Sequence, residues 1–250
     1  MGNSNSSNSY SRSETGHAKN LANFNRIILY CEGISGYNPP NAVISIADLQ
    51  GLFDLTTVAF DKCDIASISF SNAVDERQLE YDGLRKLTTR VLASLSASGA
   101  DGKRVDEAQT VNHKIQGRPP KTKTNESAVM QEVGEPTSNS QQSYDSLANF
   151  FRQLVEILRQ TPEYAPNETD LTLASLGALS ERLYALNHSV AGERVSYSNR
   201  LKERNALLYL NDDSVFERCK LVKSYVKSIL GTGDPIYKEI VGIQVRNLNE

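Results

Sequence analysis

The sequence predicts an all-α protein, an internally duplicated helical bundle with two long amphipathic helices related by a pseudo-twofold. Three observations carry that prediction. Leu176, Leu179, Leu183, Leu186, Val190 and Tyr197 keep a three-four spacing through the proline-free run from Leu176 to Leu210, the signature of one long amphipathic helix. Leu49, Leu52, Thr56, Ala59, Cys63 and Phe70 repeat the spacing about 127 residues earlier. The two halves also end alike, in Ile115-Gln-Gly-Arg118 and Ile243-Gln-Val-Arg246.

Composition bounds the class. The 250 residues are 39% hydrophobic and 23% charged, with no Trp, which suits a soluble chain carrying some disordered sequence. A formal net charge of -3 argues against a surface built throughout for nucleic acid, although a local basic patch is compatible with it. No apolar run approaches the ~20 residues that span a bilayer, and the N-terminus lacks a basic-then-apolar leader, so a cytoplasmic setting is expected. Three widely spaced cysteines fit neither a disulfide framework nor a zinc knuckle. Cys31, Cys63 and Cys219 each lie at helical spacing from apolar neighbours and are expected as small core hydrophobes.

Residues 1–18, rich in Ser and Asn, are expected to form a disordered tail. Met1-Gly2-Asn3-Ser4-Asn5-Ser6 matches the acylation pattern with Gly2 as acceptor, but no nearby polybasic run supplies a second signal, which argues against stable membrane anchoring. Helical repeat 1 covers 19–116. It opens on a short helix through Phe24, Ile27, Ile28 and Cys31, as repeat 2 (144–250) opens on Leu154, Val155 and Leu158. Tyr37-Asn-Pro-Pro-Asn41 and Tyr164-Ala-Pro-Asn167 then turn the chain. Ser45 with Asp48, and Asn167 with Asp170, are expected to cap the long helices. A third helix follows in each copy, through Leu84, Val91 and Leu95 before Gly99, and through Val215, Cys219, Val222 and Val226 before Gly231. Asp234-Pro235 starts the last short helix. Between the copies, 117–143 is a basic and then polar flexible linker.

Two groups of residues are candidates for function. Lys103, Arg104, Lys114, Arg118, Lys121 and Lys123 crowd around the start of the linker, and Gly117-Arg118-Pro119 resembles the core of an AT-hook, with Gln116 where that motif's first arginine would stand. This makes nucleic acid a candidate partner, with a solvated linker as the plainer alternative. The second group lies where the apolar stripe of each long helix falters. Ser71, Asn72 and Arg77 in one copy, and Ser198, Asn199 and Arg204 in the other, fit a polar layer that sets the register of crossing helices. A ligand pocket or simple exposure is the alternative. His17, His113 and His188 form no catalytic or metal-ligating group, no glycine run makes a phosphate loop, and no serine sits in an acyl-transfer motif. No cofactor, metal or catalytic residue is expected, and Asp212-Asp213 reads as a helix cap.

In the second copy, residues 164–176, Tyr197-Ser-Asn-Arg200, Arg204-Asn-Ala-Leu-Leu-Tyr209 and 222–231 resemble a group of uncharacterised bacterial helical proteins. That resemblance implies a duplicated helical organisation in a bacterial cytoplasm and carries no activity or site. Each repeat thus reads as short, long, medium and short helices, packed either as one antiparallel bundle or as two tandem bundles. Long helices of roughly 35 to 40 residues would be about 50 to 60 Å long, more than a compact globule needs. Surplus helix surface points to a non-enzymatic structural or interaction protein, self-associating or bound to a protein partner. The rival readings are a nucleic-acid-associated protein using 103–123 and a membrane-inserting helical protein.

Overall fold

The computed structural model describes residues 12–118 and 142–248. Gly2, Lys121 and Lys123 lie outside the described residues. Within them the chain is all-α, with no strand. The helices are α1 (Arg12–Glu32), α2 (Ile46–Asp82), α3 (Leu84–Ala97), α4 (Gly102–Gln116), α5 (Tyr144–Arg159), α6 (Leu173–Asn205), α7 (Val215–Leu230) and α8 (Pro235–Gly242). No described helix is long and apolar enough to cross a membrane.

The chain divides into two compact units, one drawn from Met1–Ile68 with Val195–Glu250, the other from Ser69–Arg194. These units cut across the two repeats expected from the sequence, because the division falls inside both long helices. The reason is visible in the cores. In the first unit, Phe24, Ile27 and Ile28 of α1 and Leu49 of α2 pack with Val222 and Val226 of α7 and with Ile240 of α8. In the second, Leu84, Val91 and Leu95 of α3 and Ile115 of α4 pack with Phe151, Leu154 and Leu158 of α5 and with Leu176 and Leu183 of α6. Phe24, Ile27, Phe151 and Leu154 are completely buried. Each such side chain contributes about 1.5–3 kcal/mol relative to leaving it in water.

Local chemistry sets the element boundaries. The Ser45 hydroxyl accepts from the Asp48 amide (3.2 Å) and donates to its carboxylate (2.7 Å), so α2 starts as expected. The start of α6 differs from expectation. Thr172, not Asn167, is its cap, accepting from the Ser175 amide at 3.3 Å, while Asp170 lies in a 3-10 turn (Thr169–Leu171) and forms an exposed ion pair with Arg90. The hydrogen bond from Arg90 holds the Asp170 carboxyl below its usual value. Ser143 and Ser214 cap α5 and α7 through the amides of Ser146 and Glu217. Asp212 and Asp213 therefore are not the cap they resemble.

Two further expectations need correcting. Helix α1 begins at Arg12, so residues 12–18 are not a tail. The driving force is His17, only 4% exposed and hydrogen-bonded through Nδ1 to the Tyr209 hydroxyl (2.7 Å). The run to Leu210 is also not one uninterrupted α-helix. After Asn205 the chain takes a π turn (Ala206–Leu210), closed by the Asn211 amide donating to the Ala206 carbonyl at 3.1 Å. The wider turn brings Leu208 and Tyr209 into the core.

Candidate functional site

The described basic residues near the linker do not gather into one patch. Lys103 and Arg104 sit at the N-terminal end of α4, Lys114 near its C-terminal end, about 15 Å away along the axis. Asp106, Glu107 and Thr110 are exposed between them. Arg104 is committed to Glu107 at 3.0 Å, and the Lys114 ammonium lies 5.3 Å from the centre of the Phe150 ring. The AT-hook resemblance has a structural explanation. Gly117 is the left-handed residue (φ 71°) that ends α4, and the Arg118 amide completes the motif by donating to the His113 carbonyl (2.9 Å). Gln116 ties α4 to α3 through the Arg85 carbonyl (2.8 Å).

The six residues read as a polar layer separate by burial. Ser71, Asn72 and Asn199 are exposed and Ser198 is half-buried. Arg77 and Arg204 are withdrawn from solvent, each within its own unit. In the second unit the Arg77 guanidinium lies 4.0 Å from the centre of the Tyr144 ring, and its Nε is buried with no hydrogen-bond partner among the described residues. Around it, the Tyr81 hydroxyl donates to the Tyr144 carbonyl (3.0 Å), and the Asn187 amide donates to Asp145 (2.9 Å). In the first unit Arg204, 2% exposed, donates from Nε and Nη2 to Asn205 Oδ1 (3.2 and 3.0 Å). It lies 5.5 Å from the centre of the Phe60 ring. Arg204 is a buried charge and Arg77 a half-buried one, each held against an aromatic face, an arrangement that fixes helix packing.

The three cysteines are buried thiols outside any disulfide. Burial pushes the Cys31 thiol up to about 11 and the Cys219 thiol up to about 12, so neither is ionised near neutral pH. His188 is exposed. Among the described residues no group of His, Cys, Asp or Glu is placed to hold a metal ion.

Two surface features in the first unit were not singled out from sequence. One is a second apolar stripe on α2. Leu55, Val58, Ile65 and Ile68 are exposed, the last two by 65% and 61%, although Leu49, Leu52, Thr56, Ala59 and Cys63 already bury the opposite side. Val58 and Ile65 are one heptad apart and Ile68 one turn on, the spacing of a helix with two partners. The other is a groove of about 760 Å³ between α1, α8 and the extended segment 243–248, in which Lys19, Arg26, Lys238 and Arg246 converge. The i,i+7 placement of Lys19 and Arg26 was legible, but nothing in the sequence paired α1 with residues more than two hundred positions away.

No protein-family model matches the chain, and no curated protein or solved structure is similar enough to stand as a relative.

Proposed function

We propose that this is a non-enzymatic helical interaction protein that self-associates through the outward stripe of α2. The observation that carries this reading is the exposure of Leu55, Val58, Ile65 and Ile68 on a helix whose other side is already buried. Isolated exposed apolar residues are ordinary, but four along nearly four turns of one helix leave a strip that water solvates poorly. Covering it with the same strip of a second copy removes apolar surface on both sides and gives a self-complementary contact.

The duplication belongs to the same reading, and three correspondences about 127 residues apart support it. The Tyr37 hydroxyl donates to the Ile44 carbonyl at 2.8 Å, and the Tyr164 hydroxyl to the Leu171 carbonyl at 2.8 Å. Each tyrosine closes a loop onto a 3-10 turn, Ala42–Ile44 in one copy and Thr169–Leu171 in the other. Ser45 and Thr172, at matching positions, cap the helices that follow. Such a chain offers helical surface in place of a reaction centre.

Light scattering coupled to gel filtration tests the proposal. The expected mass is at least twice the 27.6 kDa of the chain, falling to the single-chain value in an Ile65→Lys/Ile68→Lys variant that keeps the wild-type helical signal. A wild-type protein that stays at the single-chain mass at high micromolar concentration overturns it.

A further inference from the structure

The groove of the first unit is held open by a network of amide hydrogen bonds. The extended segment 243–248 lies against α1, and the helix grips it with asparagines. Asn20 accepts from the Arg246 amide (3.1 Å) and donates to the Arg246 carbonyl (2.7 Å), as a strand partner would. One turn on, Asn23 donates to the Gln244 carbonyl (2.7 Å). The spacing works because three helical residues rise about 4.5 Å, and two extended residues advance about 6.6 Å. From the other side the Lys223 ammonium donates to the Ile243 carbonyl at 2.6 Å. At the far end Leu248 sits so close to α1 that a Cβ on Gly16 would meet its Cδ1 at 2.7 Å. The groove between this strap, α1 and α8 is therefore formed before any ligand arrives.

Its charge is lopsided. Among the described residues four cations, Lys19, Arg26, Lys238 and Arg246, face one carboxylate, Glu239, in a chain whose net charge is -3. The arginines elsewhere whose side chains are described, Arg118 excepted, are committed. Arg90, Arg104, Arg159, Arg182, Arg200 and Arg218 are in ion pairs, Arg85 is hydrogen-bonded, and Arg77, Arg152, Arg194 and Arg204 lie over rings. Of the arginines whose side chains are described, Arg26, Arg118 and Arg246 alone have no such partner, and two of the three are in this groove. Gathering uncompensated cations costs stability through mutual repulsion, and a cleft of one sign concentrates anions.

We infer that this groove binds a short acidic peptide segment of a partner protein. Arginine recognises carboxylates with two parallel N–H donors, and Arg26 and Arg246 are free to do so. Between the cations the lining offers the Gln244 amide and the apolar side chain of Leu248, which suits a chain alternating acidic with apolar residues. A nucleic-acid strand fits less well. No aromatic ring among the described residues lines the groove to stack a base, and its volume lies within the roughly 300–1,000 Å³ of small-ligand clefts. The inference rests on the reading of the chain as an interaction protein but uses a surface other than the α2 stripe, so either can fail alone.

Fluorescence anisotropy on the full chain tests it, with a labelled hexapeptide of four glutamates and two leucines as probe. The acidic peptide binds saturably, its glutamine counterpart does not, and affinity falls as salt rises from about 50 to 200 mM. An Arg26→Gln/Arg246→Gln variant, whose replaced side chains are exposed and hold no structural contact, loses at least about tenfold in affinity with an unchanged circular dichroism spectrum. Arg118→Gln, removing the third uncommitted arginine, leaves affinity unchanged. The inference is overturned by absence of saturable binding, by equal binding to the double variant, or by a twelve-nucleotide thymidine strand that binds more tightly and is lost in that variant.

Discussion

Arg218 illustrates how a single side chain closes a fold. It is 8% exposed and its guanidinium distributes donors among three backbone carbonyls, Asp213 from Nε (2.9 Å), and Val43 and Asp48 from Nη1 (2.8 and 3.0 Å). Nη2 pairs with the Asp213 carboxylate at 3.2 Å. The α1–α2 connection, the start of α2 and the start of α7 thus meet on one residue. Its planar fork reaches all of them at once, which a lysine ammonium cannot. Replacing Arg218 with Met keeps much of the volume and leaves three carbonyls short of donors. The expected loss is about 3 kcal/mol, read as a lower urea midpoint with an unchanged slope. An unshifted midpoint would mean that water replaces the guanidinium at no cost. The sequence held no sign of this role, since Arg218 lies on the α7 helix beside Cys219 and two of its acceptors are main-chain carbonyls, of Val43 and Asp48, far away in the chain.

At the scale of elements, the strap 243–248 is held by side chains that imitate a strand. Asn20 supplies both the donor and the acceptor that the Arg246 peptide group needs, and it also donates to the Tyr209 hydroxyl (2.8 Å). Asn20→Ala therefore removes the grip without touching the α8 core contact at Ile240. Hydrogen exchange is expected to speed up at the Arg246 amide by at least about tenfold, while the amides of α7 keep their protection. Uniform acceleration across the unit would instead mean that Asn20 supports the whole core. Element legibility followed the same physics. Periodicity located Phe24, Leu49, Leu183 and Val222 in the core correctly, because burying an amphipathic face leaves a local mark on the sequence. Ser45 and Asp234 were recognisable as caps because their partners are two or three residues away. Thr172 was missed because Asn167 offered a cap of equal chemistry five residues earlier, and only the 3-10 turn between them decides. The α1 start at Arg12, the π turn after Asn205 and the groove all depend on contacts between the two ends of the chain, which no local pattern encodes.

Over the whole molecule, the two cores ignore the boundary between the proposed repeats. The first unit sets Phe24, Ile28 and Leu49 from one repeat against Val215, Val222 and Ile240 from the other. The second sets Val91, Leu95 and Ile115 against Phe151, Leu158 and Leu176. Either half of the chain taken alone therefore carries two half-cores, each with its apolar face open to water. Helix propensity alone cannot hold such faces, since most helical stability comes from packing. It follows that fragments 1–118 and 142–250, made separately, melt without a cooperative transition, whereas their equimolar mixture regains one. The mixture loses only the entropy advantage of the covalent link, and that penalty shrinks as concentration rises, so the midpoint of the mixture climbs with protein concentration. If 1–118 alone unfolds in a sharp transition at the temperature of the intact chain, the exchange of halves between the cores is wrong. The distinction matters for the proposed self-association. A chain whose repeats need each other to fold can satisfy that need within one molecule or between two, and the Ile65→Lys/Ile68→Lys variant separates the cases. An exchange of repeats between molecules survives the loss of the α2 stripe, because both cores remain intact, whereas a contact made by the stripe does not.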